Sequence, residues 1–173
     1  METTIIAHVM CLALSSPELH LSEYRKSLSC QSLDHLIVEA RKNDVDPVLL
    51  ISVIFVESGW RRSAVSPAGA CGLTQVIPKY TGNRLTGTKK YTCRQLKNPK
   101  NSITAGSKTL SFWINNYGRG NLKVGLCGYS SGFRCKGKRR LKAGFAYAEK
   151  VLRIKKKIDR IYRKKLSIYK EED

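Results

Sequence analysis

Of the 13 acidic residues in this 173-residue chain, one stands where chemistry is to be expected. Glu57 closes the run DPVLLISVIFVE, in which nine of the ten residues from position 47 to position 56 are apolar. A carboxyl group at the end of such a segment, facing a cleft poor in water, has its charged form disfavoured, so its pKa rises. An acid that keeps its proton near neutral pH can serve as a general acid. A negative charge near a helix C-terminus also opposes the helix dipole, so the position costs stability without an evident structural gain. The next acid is Glu149, and the 91 residues between hold 18 Lys and Arg. A glycosidase with two carboxylates would therefore need Glu39, Asp44, Asp46 or a residue beyond 148 as its second group. Cleavage by a single glutamate, assisted by an N-acetyl group of the substrate, needs no such partner.

Three other groupings have the composition of sites. Gly128-Tyr129-Ser130-Ser131-Gly132 matches the GxSxG turn of serine hydrolases. That turn needs a preceding strand, a later acid and a later histidine, but His8, His20 and His35 all lie upstream. The six cysteines (11, 30, 71, 93, 127, 135) include no CxxC, and the histidines cluster near the N-terminus, which argues against zinc. No metal or other cofactor is expected. The cysteines allow 15 complete pairings, and free buried thiols remain equally open. KRRLK (138–142) and RIKKKIDRIYRKK (153–165) could form a nucleic-acid patch. Val151, Ile154, Ile158 and Ile161 keep helical spacing there, so a helix packed by one face explains the second run. No recognition motif accompanies either, and no nucleic-acid partner is expected.

Presenting Glu57 requires a helix buried at the centre of a domain. Asp46-Pro47 reads as an N-cap followed by proline at the first helical position, and residues 48–57 are apolar all round. Gly59 ends that helix, and a Ser/Pro/Gly-rich loop follows over 63–72. Leu33, Leu36, Ile37 and Ala40 mark a preceding helix that stops at Asn43-Asp44. Ile103, Gly106, Leu110, Trp113, Ile114 and Tyr117 share one face of a helix over 101–117. A short helix at about 122–128 and a long basic one at about 143–169 complete a mostly α chain with few convincing strands.

The length suits one domain. We expect an N-terminal extension over 1–32 and the main domain over 33–173. Residues 5–14 are too short an apolar run to span a bilayer. They resemble a signal-peptide core only in part, since Glu2 replaces a basic flank, and a helix packed on the domain is the simpler reading. A formal charge of +19, concentrated in the acid-free window, draws the chain toward polyanions: nucleic acid, anionic lipid or an acidic wall polymer.

ESGWRRSAVSPAGACGLTQVIP (57–78) resembles the signature of the SLT-type lytic transglycosylases of the goose-type lysozyme-like superfamily. It has E-S, a Ser nine residues after the glutamate, G-A-x-G-L-x-Q and then Pro. VDPVLL resembles the family's glutamate-presenting helix, NPKNSITAGSKTL its D/N-P-x-x-N-I-x-x-G helix, GYSSG its A-Y-N-A-G, and FAYAEKVL its closing Y-V-x-x-V helix. Together these cover about residues 33–155. The resemblance implies a lysozyme-like helical domain whose buried central helix presents Glu57 as acid and then base. It implies that Ser66 and Gln75 line a sugar site and that Tyr129 hydrogen-bonds the glutamate. Ser130 stands where the family has Asn, and Thr74 where it has Met, which would remove an apolar wall of the groove.

By the same resemblance the substrate is the β-1,4 bond between N-acetylmuramic acid and N-acetylglucosamine in peptidoglycan glycan strands. The product would be a 1,6-anhydro sugar, made by a monomer acting in the periplasm or cell wall, or by a phage lysis or virion-associated enzyme. A muramidase hydrolysing the same bond, and a non-catalytic basic wall or nucleic-acid binder, are the competing readings. The basic C-terminal helix would contact anionic surfaces.

Overall fold

The computed structural model describes residues 2–136 and 142–172. Seven α-helices are described: α1 Glu2–Leu14, α2 Glu23–Lys42, α3 Pro47–Glu57, α4 Cys93–Leu96, α5 Pro99–Ser111, α6 Leu122–Ser131 and α7 Lys142–Glu172. Among the described residues the only β pairing is two isolated bridges, Val65 to Cys71 and Cys71 to Val76. The KRRLK run falls almost wholly on 137–141, outside the described residues.

α3 sets the architecture. Its β-branched residues Ile51, Val53 and Ile54 disfavour a helix locally by tenths of a kcal/mol each. Full burial of each contributes about 1.5–3 kcal/mol, so burial decides. Residues 49–54 are at most 1% exposed, and the one polar member, Ser52, donates to the Val48 carbonyl at 2.7 Å. Asp46 caps the start by accepting from the N–H groups of Val48 (2.7 Å) and Leu49 (3.4 Å), with Pro47 at the first position. Beyond the C-terminus, Gly59 and Trp60 both take positive φ (55° and 63°), which turns the chain sharply. Trp60 is fully buried beneath that turn.

α2 and α7 pack against α3, and α1 packs on α2 and α7. Met10, Ala13, Leu14, Leu19, Leu21 and Leu28 belong to the same core as α3, and the expected boundary at residue 32 falls inside α2. Of the residues whose spacing predicted a packed face, α7 buries Val151, Ile158 and Ile161 fully and Ile154 in part, and Ala148 joins them. The expected helix over 101–117 is α5 followed by a π turn at Phe112–Tyr117, closed by Gly118 N–H to the Trp113 carbonyl at 2.8 Å. The wider turn carries Trp113 onto the surface of α6, an irregularity often found at functional sites.

All six cysteines are paired, as Cys11–Cys30, Cys71–Cys93 and Cys127–Cys135. The first ties α1 to α2. The second closes the irregular stretch between α3 and α4, under which Cys71, Val76, Tyr91, Leu96 and Ala105 form a small second core.

Candidate active site

Glu57 ends α3 at the floor of a groove of about 680 Å³. One wall is the irregular stretch, with Ser66, Gln75, Tyr80 and Leu85. The other is Trp113 with residues 128–134, and Tyr147 of α7 closes the floor. Glu57 is the one carboxylate among the described residues that line it. Burial pushes its pKa from the ordinary 4.5 to about 7, against smaller opposing pulls from Tyr147 and Lys150.

The Tyr147 hydroxyl donates to Glu57 Oε1 at 2.6 Å. Oε2 is left to carry the transferable proton. Burial, and next the Glu57 charge, push the Tyr147 hydroxyl well above the usual tyrosine range, so it stays a donor. α7 packs closely on α6 because it carries Gly144, where a Cβ would lie 2.4 Å from Cys127 Sγ.

Tyr129 has a different partner from the one expected. Its hydroxyl donates to the Thr74 carbonyl at 2.7 Å. It is half-buried near Glu57, whose charge is the second cause, after desolvation, raising its pKa, but it bridges α6 to the irregular wall and does not bond the acid. FAYAEKVL contained the signal for Tyr147; what the sequence could not resolve is which of two tyrosines on two helices points its hydroxyl at Glu57.

Thr74 also requires correction. It is fully buried, its Oγ1 donates to the Ser102 carbonyl at 2.8 Å, and its N–H donates to Ser102 Oγ at 3.1 Å. It faces α5, where Gly106 makes room: a Cβ there would sit 2.4 Å from Thr74 Cγ2. Thr74 is thus part of the packing behind the groove wall.

Ser66, Gln75, Tyr129 and Ser130 all line the groove. Ser66 Oγ accepts from the Ala70 N–H at 3.0 Å and closes a turn. Gln75, at φ 50°, donates to the Gly72 carbonyl at 2.8 Å and the Ala64 carbonyl at 3.2 Å. Ser130 lies within α6, not on a strand-to-helix turn, and its hydroxyl donates to the Cys127 carbonyl at 3.2 Å.

Among the described residues no second acid lines the groove with Glu57. Asp46 caps the opposite end of α3, about 16 Å away along the helix, and pairs with Lys155 at 2.9 Å. Glu39 is 8% exposed within α2, and neither it nor Asp44 lines the groove.

The profile of the Transglycosylase SLT domain matches residues 34–167. The chain belongs to the SLT transglycosylase family. The SLT domain is 36% identical over 75 residues to endo-type membrane-bound lytic murein transglycosylase A of Klebsiella pneumoniae, covering 41% of this chain and 37% of that protein. It is 35% identical over 83 residues to membrane-bound lytic murein transglycosylase E of Buchnera aphidicola, covering 46% and 38%. The matches thus span little more than a third of these relatives. Among solved structures, an inactive mutant of lytic transglycosylase Slt from Pseudomonas aeruginosa superposes with a TM-score of 0.60 at 24% identity, over 76% of this chain and 24% of that one. The 70 kDa soluble lytic transglycosylase of Escherichia coli does so at 0.55 and 20% identity, over 81% and 28%. These show that the SLT domain has the mostly helical, lysozyme-like fold. Among its described residues no helix is long and apolar enough to cross a membrane.

Proposed function

We propose that the SLT domain is a peptidoglycan lytic transglycosylase that cleaves the β-1,4 bond between N-acetylmuramic acid and N-acetylglucosamine. One observation carries the reading: a lone carboxyl group in the groove, buried enough to hold its proton near pH 7 and fixed by Tyr147. Protonated Glu57 gives its proton to the glycosidic oxygen while the substrate's N-acetyl carbonyl oxygen attacks the anomeric carbon. The resulting Glu57 carboxylate then takes the proton of the muramoyl 6-hydroxyl, whose oxygen displaces the acetamido oxygen and closes the 1,6-anhydro ring. Acid and base are one residue. A muramidase that displaces the leaving group directly with water would need a second carboxylate to activate that water, and Glu39, Asp44 and Asp46 are not in the groove.

The three disulfides support action in an oxidising compartment, the periplasm or the wall outside the membrane. Arg153, Lys156, Arg163 and Lys164 are exposed on one face of α7 and suit a meshwork rich in carboxylates and phosphates. Mass spectrometry of digested peptidoglycan tests the chemistry. Muropeptides one water lighter than their hydrolysed counterparts are expected; reducing-end products alone would replace the transglycosylase by a muramidase.

A further inference from the structure

The α6 wall of the groove is closed by a cystine. Cys127 and Cys135 are 0% and 1% exposed, and every residue between them, 128–134, lines the groove. One of these, Phe133, is a large apolar side chain that is 62% exposed. Its ring meets Trp113, Tyr117 and Phe112 at centroid distances of 4.9, 5.5 and 6.3 Å, tilted or edge-on. The Tyr117 hydroxyl donates to the Phe133 carbonyl at 3.0 Å and accepts from the Cys135 N–H at 3.2 Å. Three rings, one hydroxyl and one disulfide therefore hold a phenylalanine open to the groove.

We propose that Phe133 is a saccharide-binding platform at the groove edge, and that the Cys127–Cys135 disulfide, by closing the segment that carries it, makes saccharide affinity depend on thiol redox state. The inference rests on the transglycosylase reading only in taking a saccharide as the ligand. An aromatic face held rigid presents apolar area to the C–H face of a pyranose at little ordering cost. A free dithiol reductant transfers two electrons and two protons to the cystine, giving two cysteine thiols and the disulfide of the reductant. Residues 132–135 then lose their covalent tie to Cys127 and keep the Tyr117 hydrogen bonds, the ring contacts, and the local bonds from the Gly132 N–H to the Gly128 carbonyl and from Arg134 Nε to the Ser131 carbonyl at 3.2 Å. Glu57 on α3 and Tyr147 on α7 are not bridged by this cystine, so the acid and its hydrogen bond persist. Reduction loosens binding and spares the proton donor. With the Cys127–Cys135 pair reduced the protein would grip glycan poorly, and a dithiol-oxidising environment would complete the site.

The test uses Glu57→Gln protein, which retains ligand, titrated with an N-acetylglucosamine hexamer and followed by Trp113 fluorescence. Phe133→Ala and the Cys127→Ser/Cys135→Ser pair should each weaken binding about tenfold, a loss of about 1.4 kcal/mol. Their combination should be no worse than either alone, because both remove the same contact. In the active enzyme the same changes should raise KM and leave kcat within about twofold. Unchanged affinity for Phe133→Ala, which keeps the disulfide, overturns the platform. Additive losses, or full affinity in the serine pair, overturn the redox link. If hexamer binding behaves as expected but no anhydro product forms, the platform stands and the transglycosylase reading fails.

Discussion

Replacing Glu57 with Gln should make the folded protein more stable, and only above a definite pH. The carboxyl group has a pKa of about 7 when folded against 4.5 ordinarily, because burial disfavours its charge. With the folded pKa above the unfolded one, wild-type stability is full below pH 4.5. It declines as pH rises and reaches its lowered plateau above pH 7. A difference of 2.5 units at 1.36 kcal/mol each amounts to about 3 kcal/mol. Glutamine keeps an oxygen to accept from Tyr147 and cannot ionise, so it escapes that loss. The two proteins should unfold alike near pH 4, diverge between pH 4.5 and 7, and differ by about 3 kcal/mol at pH 8. For a chain of this size that is a melting difference of roughly 6–12 °C. Urea or thermal unfolding followed by circular dichroism across pH 4–8.5 measures it. A stability difference that does not change with pH would refute the buried-acid argument, and with it the reason Glu57 is protonated when needed. Wall-clearing activity of Glu57→Gln should fall by at least ~10²-fold, the usual worth of a general acid.

Tyr147→Phe removes a bond that favours the Glu57 carboxylate, so the alkaline limb of the activity profile should move to higher pH while activity falls; a pH–rate series would show it. Ser130→Ala should keep most activity, since this hydroxyl bonds its own helix, and labelling of Ser130 by a fluorophosphonate would contradict that. Thr74→Met, which restores the family's usual residue, should destabilise by about 1–3 kcal/mol by overpacking against Gly106, as read by denaturant midpoint. Charge reversal of Arg153, Lys156, Arg163 and Lys164 should weaken binding to intact walls at low salt and leave cleavage of an uncharged oligomer unchanged. Lys155 and Lys157 are poor choices for that experiment. Lys155 pairs with Asp46 and Asp159, and Lys157 bonds the Glu18 carbonyl.

The helices were legible where period and caps agreed. Asp46-Pro47 and an all-apolar run specify α3 unaided, and Val151, Ile158 and Ile161 specify the packed face of α7. The π turn at 112–117 was not legible, because one extra residue per turn leaves the same residues apolar. Cysteine pairing depends on distances across the fold, which spacing along the chain does not encode. At the site, the acid could be read from its setting, whereas the finding that Tyr147 and not Tyr129 bonds Glu57 depends on where two hydroxyls point. Thr74 misled for a related reason: a residue's side of a loop is set by the backbone, here by Gln75 at positive φ and Gly106 opposite.

One helix joins the acid to the cationic face. α7 runs 31 residues without a break. Seventeen residues separate Tyr147 from Lys164, about 25 Å at 1.5 Å per residue. A rod of that kind works as a gauge. If the far end rests on an anionic strand of the wall, the cut falls a fixed step away and never under the foothold. The enzyme would keep its grip on the mesh through the scission, and its next cut would be set by where the rod lands.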